Sequence, residues 1–421
     1  MIPAFHSIRA AIVCSGVLLS GLVWPSSTFA QSDRDARWGG GDTVVRGSSE
    51  QARRLEEALE RYRDIERRGG WGTFSSDLPL GPPYSYECSL LASLERRLVA
   101  EGYLRKVSEP PPPPPAPEPP KSGRRAKTPP PPPPPPPRCE YGPALTDAVR
   151  AFQADRKILG DGQVGERTRN ELNRPVEEVV EILEQDLARW RTVALHPTST
   201  YLLVTIPFFE LEVFERGRQT MRIPVIVGQP SWPTPLFNDE LEYIVVNPDW
   251  GIPDTIAKLE YLPQARRDPK YLARQGITDT GGGLRQKPGP RNPLGRIKFV
   301  MPNEHDVYLH DTPEQRAFTA AVRALSHGCI RLSKPMDLAH YLLRDDPQWN
   351  PRRLQEAVAS GKTMQINLKE HMPVHIVYST SRVNDEGRVE LRPDVYKRNR
   401  KTARTEASVA QSSDEKVEAW P

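Results

Sequence analysis

Cysteine is scarce in this 421-residue chain, with only Cys14, Cys88, Cys139 and Cys329. Aromatic residues make up 7% and the whole hydrophobic class only 37%, too little apolar content to pack every segment into a core. Net charge is also small. A formal +4, from 58 basic and 54 acidic residues, argues against a dedicated nucleic-acid binder. Downstream of Ala10–Val23 no apolar run approaches the roughly 20 residues that a membrane-spanning helix needs. The length still allows two to three domains, at least one with a sizeable core.

What is present starts with an export signal. Arg9 precedes the apolar run, and Thr28-Phe29-Ala30 supplies small residues at cleavage positions, so residues 1–30 read as a cleavable signal peptide. The expected location is the periplasm, an oxidising space. Cys14 would leave with the signal. Three cysteines then remain, an odd number, so at least one thiol is unpaired or intermolecular. Cys88 and Cys139 flank one low-complexity insertion and are the disulfide candidate; two separately buried thiols remain the alternative at this level. Cys329 lies far downstream, in a Gly-containing motif near histidines.

Residues 31–80 are polar, with one helix expected over Ser48–Arg68 from Glu and Arg at i,i+4 spacing. Leu90, Leu91, Leu94, Leu98 and Val99 recur at helical spacing, with Gly102 as a stop. A second helix is expected around Thr146–Gln153, a turn at Asp161–Gly165 and a third helix over Glu166–Leu172. Residues 84–175 thus resemble the small three-helix peptidoglycan-binding domain. The matching residues are Gly102-Tyr103-Leu104, Ala148–Gln153, Asp161–Gly165 and Thr168-Arg169. The departure is the insertion Pro110–Pro137, where that family has a short turn. Its two proline arms, expected to be polyproline II, surround a basic tip at Lys121–Thr128. A disordered spacer is one reading and a dock for an acidic envelope partner the other.

A connecting helix, Glu177–Ala194, occupies most of residues 176–198. After it the period changes to two. Tyr201–Ile206, Leu211–Phe214, Ile223–Val227, Tyr243–Val246, Ile297–Met301 and Val307–Leu309 are short β-branched runs separated by turn residues. They predict a β-rich domain over residues 199–396. A helical excursion at Pro253–Gln275 and a Gly/Pro-rich loop at Gly281–Pro293 are candidates for a lid, about 250–293. The tail, 397–421, is charged and Ser/Thr-rich and reads as disordered.

Chemistry concentrates in Ser326-His327-Gly328-Cys329-Ile330-Arg331. A cysteine becomes a nucleophile when a neighbour stabilises its thiolate, and histidine is the usual base. His327, on the turn before the thiol, is expected to point elsewhere, whereas His310 ends a strand that can lie opposite it. His310 is therefore the expected base. The N–H groups of Gly328 and Cys329 could converge on an oxyanion. A helix opening at Ser333 and Pro335 would direct its positive end towards the thiolate. A buried core cysteine and half a zinc site are the bland readings; the other histidines are not at metal-ligand spacings, so no metal is expected.

Tyr308-Leu309-His310-Asp311-Thr312 together with Ser326–Arg331 resembles the active-site signature of the L,D-transpeptidase family. Ile226-Val227-Gly228, Pro233-Thr234-Pro235, Asn247-Pro248-Asp249-Trp250 and Ile252-Pro253 extend the likeness, which is to the large Gram-negative subgroup with a peptidoglycan-binding domain and a lid. The resemblance implies a mixed β-sandwich with a short helix after the nucleophile. It implies Cys329 as nucleophile and His310 as base, the latter held in its tautomer by a backbone carbonyl just after it rather than by the Asp311 carboxylate. Tyr308, Ser326, His327, Gly328 and Arg331 would shape the substrate and oxyanion pocket. It further implies 3–3 crosslinking of peptidoglycan stem peptides through a thioester, no cofactor, and acylation by carbapenems. Water or an envelope-protein lysine as acceptor, or an inert wall-binding protein, are the competing readings.

Overall fold

The computed structural model describes residues 50–75, 79–105, 135–193, 195 and 199–400. The expected signal peptide, most of the Pro110–Pro137 insertion with its basic tip, and the tail beyond 400 lie outside the described residues.

The first described element is α1, Glu50–Arg67. Its charge pairs, such as Arg54 to Glu50 at 2.8 Å, were legible in the sequence. Its second face was not. Ala52, Leu55, Ala58, Leu59 and Tyr62 recur at three- and four-residue spacing and are buried, so this helix is part of a core rather than a polar leader. Gly69 and Gly70, both at positive φ, end it.

A small hairpin-like pair, β1 (Ser85–Glu87) and β2 (Arg138–Glu140), brings Cys88 to Cys139, and the two form a disulfide. Three helices share a second core: α2 (Cys88–Ala100), α3 (Pro143–Asp155) and α4 (Glu166–Leu172). Leu91, Leu94, Leu98, Val149, Phe152 and Leu172 meet at its centre. Then α5, Val176–Trp190, lays Val179, Val180, Leu183 and Leu187 against α1.

The rest is dominated by one nine-stranded sheet. Its strands are β3 (Thr200–Thr205), β4 (Glu210–Glu215), β5 (Arg218–Gly228), β6 (Asn238–Val246), β10 (Ile297–Val300), β11 (Leu309–His310), β12 (Ala324–Ser326), β13 (Ile330–Leu332) and β14 (Met364–Val377). A separate three-stranded sheet joins β7 (Trp250–Gly251), β8 (Ile277–Asp279) and β9 (Leu284–Gln286). The large sheet is mixed, with parallel pairs at β11–β13, β14–β3 and β12–β5. It differs from the expected sandwich of two sheets: β4 pairs with β3 and with β5, so one ladder closes on itself. Closure follows from length. The eleven residues of β5 serve β4 along one part and β13 and β12 along another.

Alternation along these strands sorts residues to two sides. On β3, Leu202 and Val204 join the interior with Ile223, Val225, Ile244, Phe299, Leu309 and Ile330. Tyr201 and Leu203 face outward and bury against α1 and α5. Two further helices, α6 (Pro335–Leu342) and α7 (Pro351–Ala359), add Leu338, Ala339, Leu354 and Ala357 to the interior. A last pair, β15 (Ser381–Val383) with β16 (Val389–Leu391), packs on the outer core beside α1 and α5. The segment expected as a lid forms its own small core of Trp250, Ile252, Ala257, Ile277, Leu284 and Leu294. Part of its Gly/Pro-rich loop is β9, because Ile252 N–H and Leu284 O bond across the small sheet.

Candidate active site

The same alternation that buries Phe299, Leu309, Ile330 and Leu332 sends their sequence neighbours to the outside of the closed sheet. Lys298 is opposite His310, and His310 is opposite Arg331, so three polar residues form one row across β10, β11 and β13. Just before these two strands, two residues upstream of His310 and Arg331, stand Tyr308 and Cys329. The Ile330 N–H donates to the Tyr308 carbonyl at 3.1 Å, which holds these two side by side. Of the residues the sequence singled out, the fold therefore gathers Tyr308, His310, Cys329 and Arg331 on one face.

The turn before Cys329 is fixed by backbone bonds. Ser326 Oγ accepts from Gly328 N–H at 3.2 Å and donates to the Cys329 carbonyl at 2.5 Å. Gly328 sits at φ +112°, a conformation that favours glycine. Its carbonyl accepts from Thr234 Oγ1 at 2.8 Å, and that hydroxyl accepts from Gly228 N–H at 2.9 Å. A Cβ at Gly228 would fall 2.1 Å from the Trp232 carbonyl, so the two loops touch backbone to backbone. Here the structure departs from expectation. Gly328 N–H is already engaged by Ser326, and of the two amides expected to meet an oxyanion only that of Cys329 makes no hydrogen bond among the described residues.

His310 is 4% exposed. Burial and the Arg331 charge beside it lower its pKa to about 3, so the ring is neutral across the working range. Its Nδ1 lies 2.5 Å from the Asp311 carbonyl oxygen, which can only accept, so Nδ1 carries the hydrogen and Nε2 holds the lone pair; the Pro293 backbone also bonds to the ring. The Asp311 carboxylate is occupied elsewhere, accepting from Arg296 N–H at 2.8 Å and Thr312 N–H at 2.7 Å.

The Cys329 thiol is half-buried and is the one free cysteine among the described residues. Its Sγ lies 3.8 Å from the Asp306 carbonyl and is also bonded by Tyr308, through backbone and phenol, rather than by His310. Burial pushes the thiol up, against the expectation of a helix-stabilised thiolate. The physical reason is distance: α6 begins only after the three residues of β13, roughly 10 Å of extended chain.

His327 points away from the sulfur. Its Nε2 is 3.0 Å from Glu260 Oε1 on the lid segment, and its ring lies 4.4 Å from that of Trp232. Arg331 pairs with Glu314 at 2.7 Å. Lys298, unnoticed in the sequence, places Nζ 3.8 Å from the centre of the Tyr308 ring. A charged residue inside Ile297-Lys298-Phe299-Val300 was the available signal. Glu260 had none, since its partner is 67 positions away. Among the described residues, no group of three His, Cys, Asp or Glu side chains could hold a metal ion.

A neutral imidazole with its lone pair on Nε2 and a half-buried thiol on one sheet face can support nucleophilic acyl chemistry. Comparison with known proteins gives this a family context. Residues 199–366 match the model of the YkuD family, the L,D-transpeptidase catalytic domain. A Haemophilus influenzae protein described as "Putative L,D-transpeptidase" is 32% identical over 216 residues, covering 46% of this chain and 44% of that protein, so less than half of that relative is spanned. Among solved structures, an L,D-transpeptidase from Mycobacterium smegmatis is 14% identical with a TM-score of 0.23, covering 42% of this chain and 58% of its own. One from Stackebrandtia nassauensis is 13% identical with a TM-score of 0.23, covering 56% and 80%.

Proposed function

We propose, from the premise that residues 199–366 are an L,D-transpeptidase catalytic domain, that the protein forms 3–3 crosslinks in peptidoglycan through a Cys329 thioester with His310 as general base. The observation that carries this reading is the free Cys329 thiol on the same sheet face as a neutral His310 whose Nδ1 is committed to a carbonyl. That commitment leaves Nε2 as the proton acceptor.

In the first half-reaction Sγ bonds to the carbonyl carbon of the third stem residue while its proton passes to His310 Nε2. The carbon–nitrogen bond to the terminal D-alanine breaks, its nitrogen takes the proton, and D-alanine leaves. A thioester remains. The side-chain amine of an acceptor stem then adds to the thioester carbon, the carbon–sulfur bond breaks, and a proton lost by the amine returns through His310 to sulfur. The Cys329 N–H is the donor best disposed towards the developing oxyanion. Apo thiol–imidazole contacts in such sites are often long and tighten with substrate, so the lack of a direct bond between Cys329 and His310 is compatible with this role.

The leader at residues 1–30 supports export to the periplasm, where stem peptides lie. The three-helix unit, α2 to α4, supports a wall-binding role beside the catalytic domain. The test is incubation of the full protein with disaccharide-tetrapeptide and mass analysis of the products. Dimer is expected; tripeptide alone would mean water as acceptor, and unchanged substrate would overturn the reading. His310→Ala should slow acylation by about 10²–10⁴-fold. Loss of acylation in His327→Ala with His310→Ala active would overturn the base assignment.

A further inference from the structure

Lys298 is a half-buried cation that the mechanism above does not use. It stands in the row with His310 and Arg331, and its ammonium caps the Tyr308 ring at 3.8 Å. Burying an ammonium is unfavourable unless something anionic answers it. The acidic side chains that face it are the carboxylates of Asp249 and Asp306 and the thiol of Cys329. Asp249 is bonded to Arg285 at 2.7 Å, and Asp306 meets the sulfur through its carbonyl. Tyr308 links the two ends, with its phenol on the thiol and its ring under the ammonium.

The other polar side chains around the sulfur have partners of their own, although Arg331 also lies close enough to favour the thiolate. His310 stays neutral above about pH 3, so no imidazolium is at hand in the resting enzyme. Arg331 is tied to Glu314, and His327 to Glu260. Lys298 makes no ion pair among the described residues.

We infer that Lys298 is a positioning residue for the Cys329 thiol: seated on the Tyr308 ring, its ammonium supplies the positive charge that favours thiolate formation in place of an imidazolium. The inference rests on Cys329 being the reactive thiol, not on the acceptor it serves. A purely structural cation on an aromatic ring would stabilise the strand and leave the sulfur's acid–base behaviour unchanged.

The test is the rate of Cys329 alkylation by iodoacetamide in the full chain, followed from pH 6 to pH 10 at the Cys329 peptide by mass spectrometry. Lys298→Met should react about tenfold more slowly near neutrality and reach the wild-type rate at the alkaline end, a displaced profile rather than a lowered one. Lys298→Arg should follow the wild-type profile. Superimposed profiles for wild type and Lys298→Met would overturn the inference, as would equal displacement in both variants. Should Lys298→Met lose its cooperative thermal transition, the charge-keeping variant decides: a wild-type profile supports the inference and a displaced one refutes it. Failure of crosslinking in the substrate assay would sink the proposed function while leaving this thiol profile readable.

Discussion

At the scale of single residues, two histidines are kept neutral by burial, and this has a consequence for stability. His310 is lowered to about 3 by burial and by Arg331, and His375 to about 4 by burial. In the unfolded chain both titrate near 6.5. Below about pH 6.5 the unfolded state therefore binds protons that the folded state refuses, and stability falls as pH drops from 6.5 through about 4 and on towards 3. Above 6.5 neither contributes a slope. His375 alone accounts for at most about 3 kcal/mol of this loss. His375→Gln should flatten the decline of the melting temperature between pH 6.5 and 4; parallel curves for variant and wild type would refute the assignment. That His310 and Cys329 come together was legible in the sequence because each sits in a short motif. The engagement of Gly328 N–H by Ser326 was not, since it depends on a rotamer and a turn of backbone rather than on residue type.

At the scale of elements, the lid segment is latched to the turn before Cys329 by one pair, Glu260 to His327, with the tilted Trp232 ring behind it. Glu260 belongs to the π-helical turn Ala257–Tyr261. Both partners keep contact with water, so the pair is worth no more than about 1 kcal/mol, and salt weakens it to the extent that His327 is protonated. Glu260→Ala should leave the melting temperature within about 2 °C while changing KM for stem peptide several-fold, more at low than at high ionic strength. An unchanged KM at both salt levels would show that the latch does not govern access. Alternation made the strands around 201–206, 211–214, 243–246 and 297–301 readable. It missed β12 and β13, which are three residues each, and β14, whose period is broken by Lys369-Glu370-His371 where its register with β6 shifts. Closure of the sheet through β4 and β5 was also beyond sequence reading, because it depends on which strands meet, not on what each contains.

At the scale of the whole molecule, the helical unit is tied to the sheet domain by buried charge. Glu101 accepts from Tyr62 on α1, from Arg97 on α2 and from Arg156 after α3. Burial opposes its ionisation, but Arg156 and Arg97 outweigh it and hold the carboxyl at about 2. Arg156 also donates to the Val389 carbonyl at 2.7 Å, and Arg388 pairs with Asp155 at 2.8 Å, so the network reaches β16. Removing one partner of such a cluster strands the others. Glu101→Ala should cost about 3–5 kcal/mol and split a single calorimetric transition into two; one transition at the wild-type temperature would contradict the coupling. The helical unit and the sheet domain thus share one buried charge network. Everything nonetheless returns to whether Cys329 carries the acyl group. The most direct measurement is the intact mass of the full protein quenched in acid shortly after mixing with disaccharide-tetrapeptide, with the adduct mapped by peptide. The account predicts a disaccharide-tripeptide acyl group on Cys329, released D-alanine, and no adduct on Cys329→Ala. Crosslinked product with no acyl group on Cys329, or an adduct that persists in Cys329→Ala, would contradict it.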